Sequence, residues 1–122
     1  MDNIPDEFRQ RNYPKGYNSW HWENLPRYCL MIDIDSIEIR RNEIVAIIET
    51  RSTPTPLNDW HKEKILKVAN ALNIPAYLVY FNQDDMTFTR TNLRTEEQIT
   101  LSEIEYKFWL MHLWKKYVTQ TN

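Results

Sequence analysis

Between Ile32 and Arg51 the spacing of apolar residues changes character. Ile34, Ile37 and Ile39 are set among polar and acidic residues, whereas Ile44-Val45-Ala46-Ile47-Ile48 is an unbroken apolar run. This predicts a strand over 28–40, a short polar turn and a second strand over 44–51. A run apolar on both faces belongs to a central strand covered on both sides. Leu57, His61, Ile65, Val68 and Leu72 then recur at helical spacing and predict a helix over 55–72. Thr55 would cap it with Pro56 in the first position, Asn73 suits a left-handed end, and Pro75 blocks continuation. Residues 76–81 read as a further strand, Asn82-Gln83-Asp84-Asp85 as a turn, and Met86–Arg90 as an alternating edge strand. A last helix starts near Thr100 or Ser102, where Ser102 and Glu105 form a capping box, and reaches about Tyr117. Its apolar residues surround most of the helix. It therefore wants contact on more than one side, from the N-terminal aromatic segment or from an oligomer interface. Residues 1–27 are polar and aromatic, with prolines at 5, 14 and 26, and leave room for a short helix from Ser19 carrying Trp20-His21-Trp22-Glu23.

Composition narrows the class. A chain of 122 residues fits one domain, 1–122, and 42% hydrophobic residues place it among globular proteins. Net charge is -2, so no global basic field advertises nucleic acid, although 15 Lys and Arg leave room for a local basic cleft. A single cysteine, Cys29 in an apolar run, excludes an internal disulfide and reads as core in a reducing compartment. One glycine excludes the glycine-rich phosphate loops of dinucleotide and Walker type. No apolar stretch is long enough for a membrane span, and the first residues lack a signal-peptide pattern. A soluble cytoplasmic protein is the expectation.

The candidate chemistry lies in the acidic residues of the hairpin. A central strand has no structural use for Glu49, because burying a carboxylate is costly unless something positive compensates it. A three-residue loop, Arg41-Asn42-Glu43, pairs 40 with 44 and so sets Asp35 opposite Glu49 and Asp33 opposite Arg51. A two-residue loop would set Asp35 opposite Ile48. Two facing carboxylates call for a cation between them, and hard oxygen donors suit Mg²⁺ or Mn²⁺. For Asp33, Asp35 and Glu38 the alternative is an exposed edge strand with its polar side outward. His61 reads as a core or boundary histidine, and His21 and His112 have no partners at zinc-ligand spacing. Arg40 and Arg41 at the hairpin tip are candidates for touching a phosphate backbone, or else part of a solvated turn.

Asp35, followed fourteen residues later by Glu49-Thr50-Arg51, resembles the D…(D/E)-x-K signature of the PD-(D/E)XK nuclease superfamily. The order hairpin, helix, strand after it is similar to restriction-endonuclease-like and Holliday-junction-resolvase-like domains, over about residues 19–90. The resemblance implies an α/β domain with a mixed sheet of about four strands flanked by helices, and the C-terminal helix read above, over about 101–117, lies beyond the part it covers. It implies a metal-dependent DNA nuclease or resolvase-like phosphodiesterase, a hydrolase, with Mg²⁺ or Mn²⁺ as cofactor. Asp35, Glu49 and the Thr50 backbone carbonyl would be metal ligands, with Asp33 the rival to Asp35. Glu23 matches the position of an extra acidic residue that many members carry. Arg51 stands where the family has Lys. It can stabilise phosphoryl charge but cannot act as a base, so Lys62 or Lys64 on the next helix is the candidate substitute. A homodimer through the C-terminal helix would fit many relatives of this size. The alternative is a catalytically inactive nuclease fold kept for DNA or protein binding.

Overall fold

The computed structural model describes residues 16–113, which fall into two compact units, one ending at Asp33 and the other beginning at Ile34. In the first unit, α1 (Tyr17–Asn24) follows Gly16, whose φ of 82° is a left-handed conformation that glycine adopts without strain. Tyr17 stacks on Trp20, with ring centroids 6.1 Å apart. The helix includes the expected Trp20–Glu23 and starts two residues earlier than Ser19. Cys29 is partly buried, not deep core.

The second unit is α/β. It runs β1 (Ser36–Arg40), β2 (Glu43–Arg51), α2 (Asp59–Leu72), β3 (Ala76–Asn82), β4 (Thr87–Asn92), β5 (Gln98–Ser102), α3 (Glu103–Met111). The strands form one mixed five-stranded sheet in sequential order, with β2 and β3 parallel and every other neighbouring pair antiparallel. The expected count of about four strands is short by β5. Because β5 pairs with β4, β4 is interior and not an edge strand. Among the described residues no helix is long and apolar enough to cross a membrane.

The hairpin reaches its expected register by an unexpected route. Its loop has two residues, Arg41 and Asn42, both left-handed (φ 52° and 66°), and Arg40 pairs with Glu43. That turn matches the twist of the strands. The ladder then shifts between Glu38 and Ile39: Ile39 pairs with Ile44 but Glu38 pairs with Ala46, leaving Val45 as the extra residue of a β-bulge. Past the bulge, Ile37 faces Ile47 and Ser36 faces Ile48. The Ser36–Ile48 pairing is the one a three-residue loop would have given, and just beyond the ladder Asp35 N donates to Glu49 Oε2 at 2.7 Å. A left-handed Arg carries a steric cost. Replacing Arg41-Asn42 by Asn-Gly is therefore expected to stabilise the unit by about 1 kcal/mol. Thermal unfolding reads this directly, and an unchanged or lower Tm contradicts the turn assignment.

The two helices lie on opposite faces of the sheet. Ile47, Glu49, Leu78 and Tyr80 alternate onto the α2 face, where Ile65 and Ala69 of α2 are fully buried. Val68 and Leu72 are exposed, so the buried line of α2 runs His61-Ile65-Ala69 and does not swing to the expected Val68 and Leu72. Its cap is Asn58, not Thr55. Asn58 Oδ1 accepts from His61 N at 2.8 Å, while the Thr55 hydroxyl is engaged with that of Thr53 at 2.8 Å. Asn73 ends the helix in the left-handed conformation expected of it.

The other face holds an aromatic row with α3. Tyr77 meets Trp109 edge-on at 4.9 Å, Phe88 stacks on Tyr106 at 4.2 Å, and the Arg90 guanidinium sits 4.5 Å from the Trp109 ring centre. α3 starts with the expected capping box, Ser102 N to Glu105 Oε1 and Glu105 N to Ser102 Oγ. Its expected end near Tyr117 lies outside the described residues. Burial, and secondarily the Glu38 carboxylate, pushes the Tyr106 phenol up to about 12 from 10.0. A raised folded-state value contributes stability below pH 10.0 that is lost as pH rises toward 12. Tyr106→Phe is expected to flatten the alkaline loss of stability across that window in denaturant titrations. A profile as steep as the parent's contradicts this.

Candidate active site

Glu49 is buried, 2% exposed, near the C-terminal end of a central strand. Two crossing bonds tie the Asp35 and Glu49-Thr50 segments together. Glu49 Oε2 accepts from Asp35 N at 2.7 Å, and Asp35 Oδ2 accepts from Thr50 N at 2.9 Å, with Thr50 Oγ1 at 3.3 Å. These side-chain bonds take the place of the next ladder bonds, and β1 accordingly extends only over Ser36–Arg40, not over the expected 28–40. Ser36 Oγ adds a bond to Ile48 O at 2.9 Å at the same point. The two carboxylates that break the strand pattern are therefore what end the strand.

His61 is the residue that sequence reasoning missed. It stands in the first turn of α2, one turn ahead of Ile65, and its Nε2 lies 3.5 Å from Glu49 Oε1. That is ion-pair distance for a protonated imidazole, although the geometry forms no hydrogen bond. Helical spacing could only place His61 on the sheet side of α2. It could not reveal that the facing strand position is Glu49.

The remaining expected residues are distributed as follows. Arg51 is partly buried and shares the Glu49 face of β2, two residues on. Lys62 Nζ bonds Glu96 Oε1 at 2.7 Å, toward the β4–β5 loop. Lys64 reaches Glu63 at 3.3 Å and sits 5.4 Å from the Trp60 ring centre. Arg40 is anchored: its Nη2 donates to Leu110 O at 2.7 Å, tying the hairpin to the end of α3, and pairs with Glu38 at 2.9 Å. Arg41 is exposed at the turn. Glu23 is exposed on α1, and Asp33, 5% exposed, is the last residue of the first unit.

The donor set can be tested against a divalent ion. Mg²⁺ needs only one or two carboxylates, taking water and substrate oxygens for the rest. Asp35 and Glu49, with the adjacent Thr50 carbonyl, supply hard oxygens of that kind. Among the described residues no group of three or more His, Cys, Asp and Glu side chains is arranged to hold an ion. The described residues thus offer two carboxylates and no all-protein cage. Compared with known proteins, the chain matches no family model, no curated protein and no solved structure.

Proposed function

We propose that the second unit is a metal-dependent phosphodiesterase of the PD-(D/E)XK type acting on DNA, with a restriction-endonuclease-like core. The observation that carries this reading is the buried Glu49 carboxylate meeting Asp35 at the end of a central strand, a position where an uncompensated charge is costly. A divalent ion bound between these carboxylates would neutralise phosphoryl charge and acidify a water. Asp35 and Glu49 are held in place by their bonds to backbone N–H groups, so little side-chain freedom is lost on binding. Arg51 presents guanidinium donors on the same face, suited to non-bridging phosphate oxygens. His61 Nε2 packs 3.5 Å from Glu49 Oε1, beside the proposed ligand carboxylate. A homodimer through α3 belongs to the same proposal, since Ile104, Phe108 and Met111 recur at helical spacing and are 79%, 64% and 56% exposed.

The second reading is a catalytically silent fold, in which the Asp35–Glu49 pair serves as a structural clasp. It draws on the two backbone bonds just described and on Arg where the motif has Lys. Arg51 variants separate the readings. Under the enzyme reading, Arg51→Ala lowers Mg²⁺-dependent cleavage by about a hundredfold, and Arg51→Lys retains or raises it. Cleavage unaffected by Arg51→Ala removes Arg51 from the chemistry. No cleavage by the parent or by Arg51→Lys supports the silent fold.

A further inference from the structure

A pocket of about 410 Å³ opens on the α2 face of the sheet, between the start of α2 and the β4–β5 loop. Strand register ties its floor to the candidate active site. Glu49 pairs with Leu78, Leu78 with Thr91, and Thr91 with Gln98, forming one row across four strands. Arg51, Tyr80, Thr89 and Thr100 form the next row. Leu78, Tyr80, Thr89, Thr91 and Gln98 all line the pocket. With strands about 4.8 Å apart, the pocket begins one strand away from the carboxylate and guanidinium and continues the same face outward.

The lining selects a ligand chemistry. Leu78 and the Tyr80 ring give an apolar and aromatic side, while Thr89, Thr91 and Gln98 give hydroxyl and amide groups. These polar groups are pre-aligned by cross-strand bonds: Gln98 Nε2 donates to Thr91 Oγ1 at 3.1 Å, and Thr89 and Thr100 hydroxyls meet at 2.9 Å. Each hydroxyl and the Gln98 carbonyl keep further hydrogen-bonding capacity. At the rim, Lys62 is neutralised by Glu96 at 2.7 Å, and Asp59 adds a negative charge. A phosphate is disfavoured there. An uncharged planar heterocycle with polar edges is favoured, and the volume lies within the range of about 300–1,000 Å³ typical of small-ligand sites.

We infer that this pocket receives an unpaired nucleobase while its phosphate lies at Asp35, Glu49 and Arg51, so the substrate is single-stranded or locally unpaired DNA. This substrate assignment rests on the phosphodiesterase reading, whereas binding of the base does not require cleavage. A base held in a duplex offers only its groove edges and cannot enter a pocket closed by a helix start and a loop. An unpaired base can stack on an aromatic ring and bond through its edge.

The test measures binding of a fluorescein-labelled oligothymidylate and of a blunt duplex in EDTA, by anisotropy, on the full chain. Single-strand binding is expected to be at least about tenfold tighter than duplex binding. Thr91→Tyr, which fills the pocket, should remove that preference, as should Tyr80→Ala, with circular dichroism confirming that each variant is folded. Equal affinity for the two forms, or a preference untouched in both folded variants, overturns the pocket. Cleavage with added Mg²⁺ is measured separately. Single-strand preference without cleavage upholds the pocket while removing the phosphodiesterase reading, and cleavage without preference overturns the pocket while leaving that reading intact.

Discussion

Glu49→Gln is expected to abolish Mg²⁺- or Mn²⁺-dependent cleavage, with a loss of at least about a hundredfold, and to leave the fold intact. Removing a ligand charge forfeits several kcal/mol of transition-state stabilisation, and each 1.4 kcal/mol is about tenfold in rate. The shape of the side chain is conserved. Its amide oxygen can still accept from Asp35 N, the bond now made by Glu49 Oε2 at 2.7 Å, so the end of β1 stays pinned. With that bond kept, Tm should stay close to the parent's. A variant that is both inactive and at least as stable identifies a carboxylate kept for chemistry. A variant that loses stability and shows no change in cleavage assigns Glu49 to the structural clasp.

The largest stability effect is expected from Ile65→Ala. Ile65 is fully buried in the middle of α2, on the line His61-Ile65-Ala69 that faces the sheet. Truncation removes three carbons from a packed interior and leaves a cavity, which costs about 3 kcal/mol within the usual range of about 2–5 kcal/mol. Against a total stability of about 5–15 kcal/mol, that is a large fraction. Urea titration should show a lower midpoint with an unchanged slope. The variant also bears on the site, because His61 stands one turn earlier on the same face and approaches Glu49 only if α2 stays seated. A cost below about 1 kcal/mol would mean that α2 is not anchored through this residue.

Much of this architecture was legible because single residues carry local rules. Asn73 ends α2 left-handed, and Ser102 with Glu105 opens α3, as their types require. The apolar run of β2 marked a strand covered on both sides, and the sheet places β2 between β1 and β3. The bulge at Val45 was not legible, since a strand apolar on both faces has no alternation in which an inserted residue would show. Two departures, a shorter loop and one extra residue, cancel, so Ser36 pairs with Ile48 as a three-residue loop would have set it, for a reason the sequence did not supply. β5 escaped notice because Gln98-Ile99-Thr100-Leu101 is short and runs directly into a helix cap. Asn58 displaced Thr55 as the cap because Thr55 is committed to a tight loop with Thr53.

The candidate site was legible as a pair and not as a neighbourhood. Asp35 and Glu49 were marked by their cost, since acidic residues in apolar strands need a reason to be there. His61 carried no such mark, because a histidine at helical spacing among apolar residues looks like core. Lys62 looked available for phosphate on sequence grounds, yet its partner Glu96 comes from a loop thirty-four residues away. Contacts across that separation are set by the sheet topology, which no local pattern encodes.

The most direct measurement incubates end-labelled single-stranded, duplex and branched DNA with the full chain in Mg²⁺, in Mn²⁺ and in EDTA, with Glu49→Gln run in parallel. The account predicts metal-dependent cleavage of at least one DNA form, absent in EDTA and absent in the variant. No cleavage of any form with either metal, or cleavage that survives both EDTA and Glu49→Gln, contradicts it.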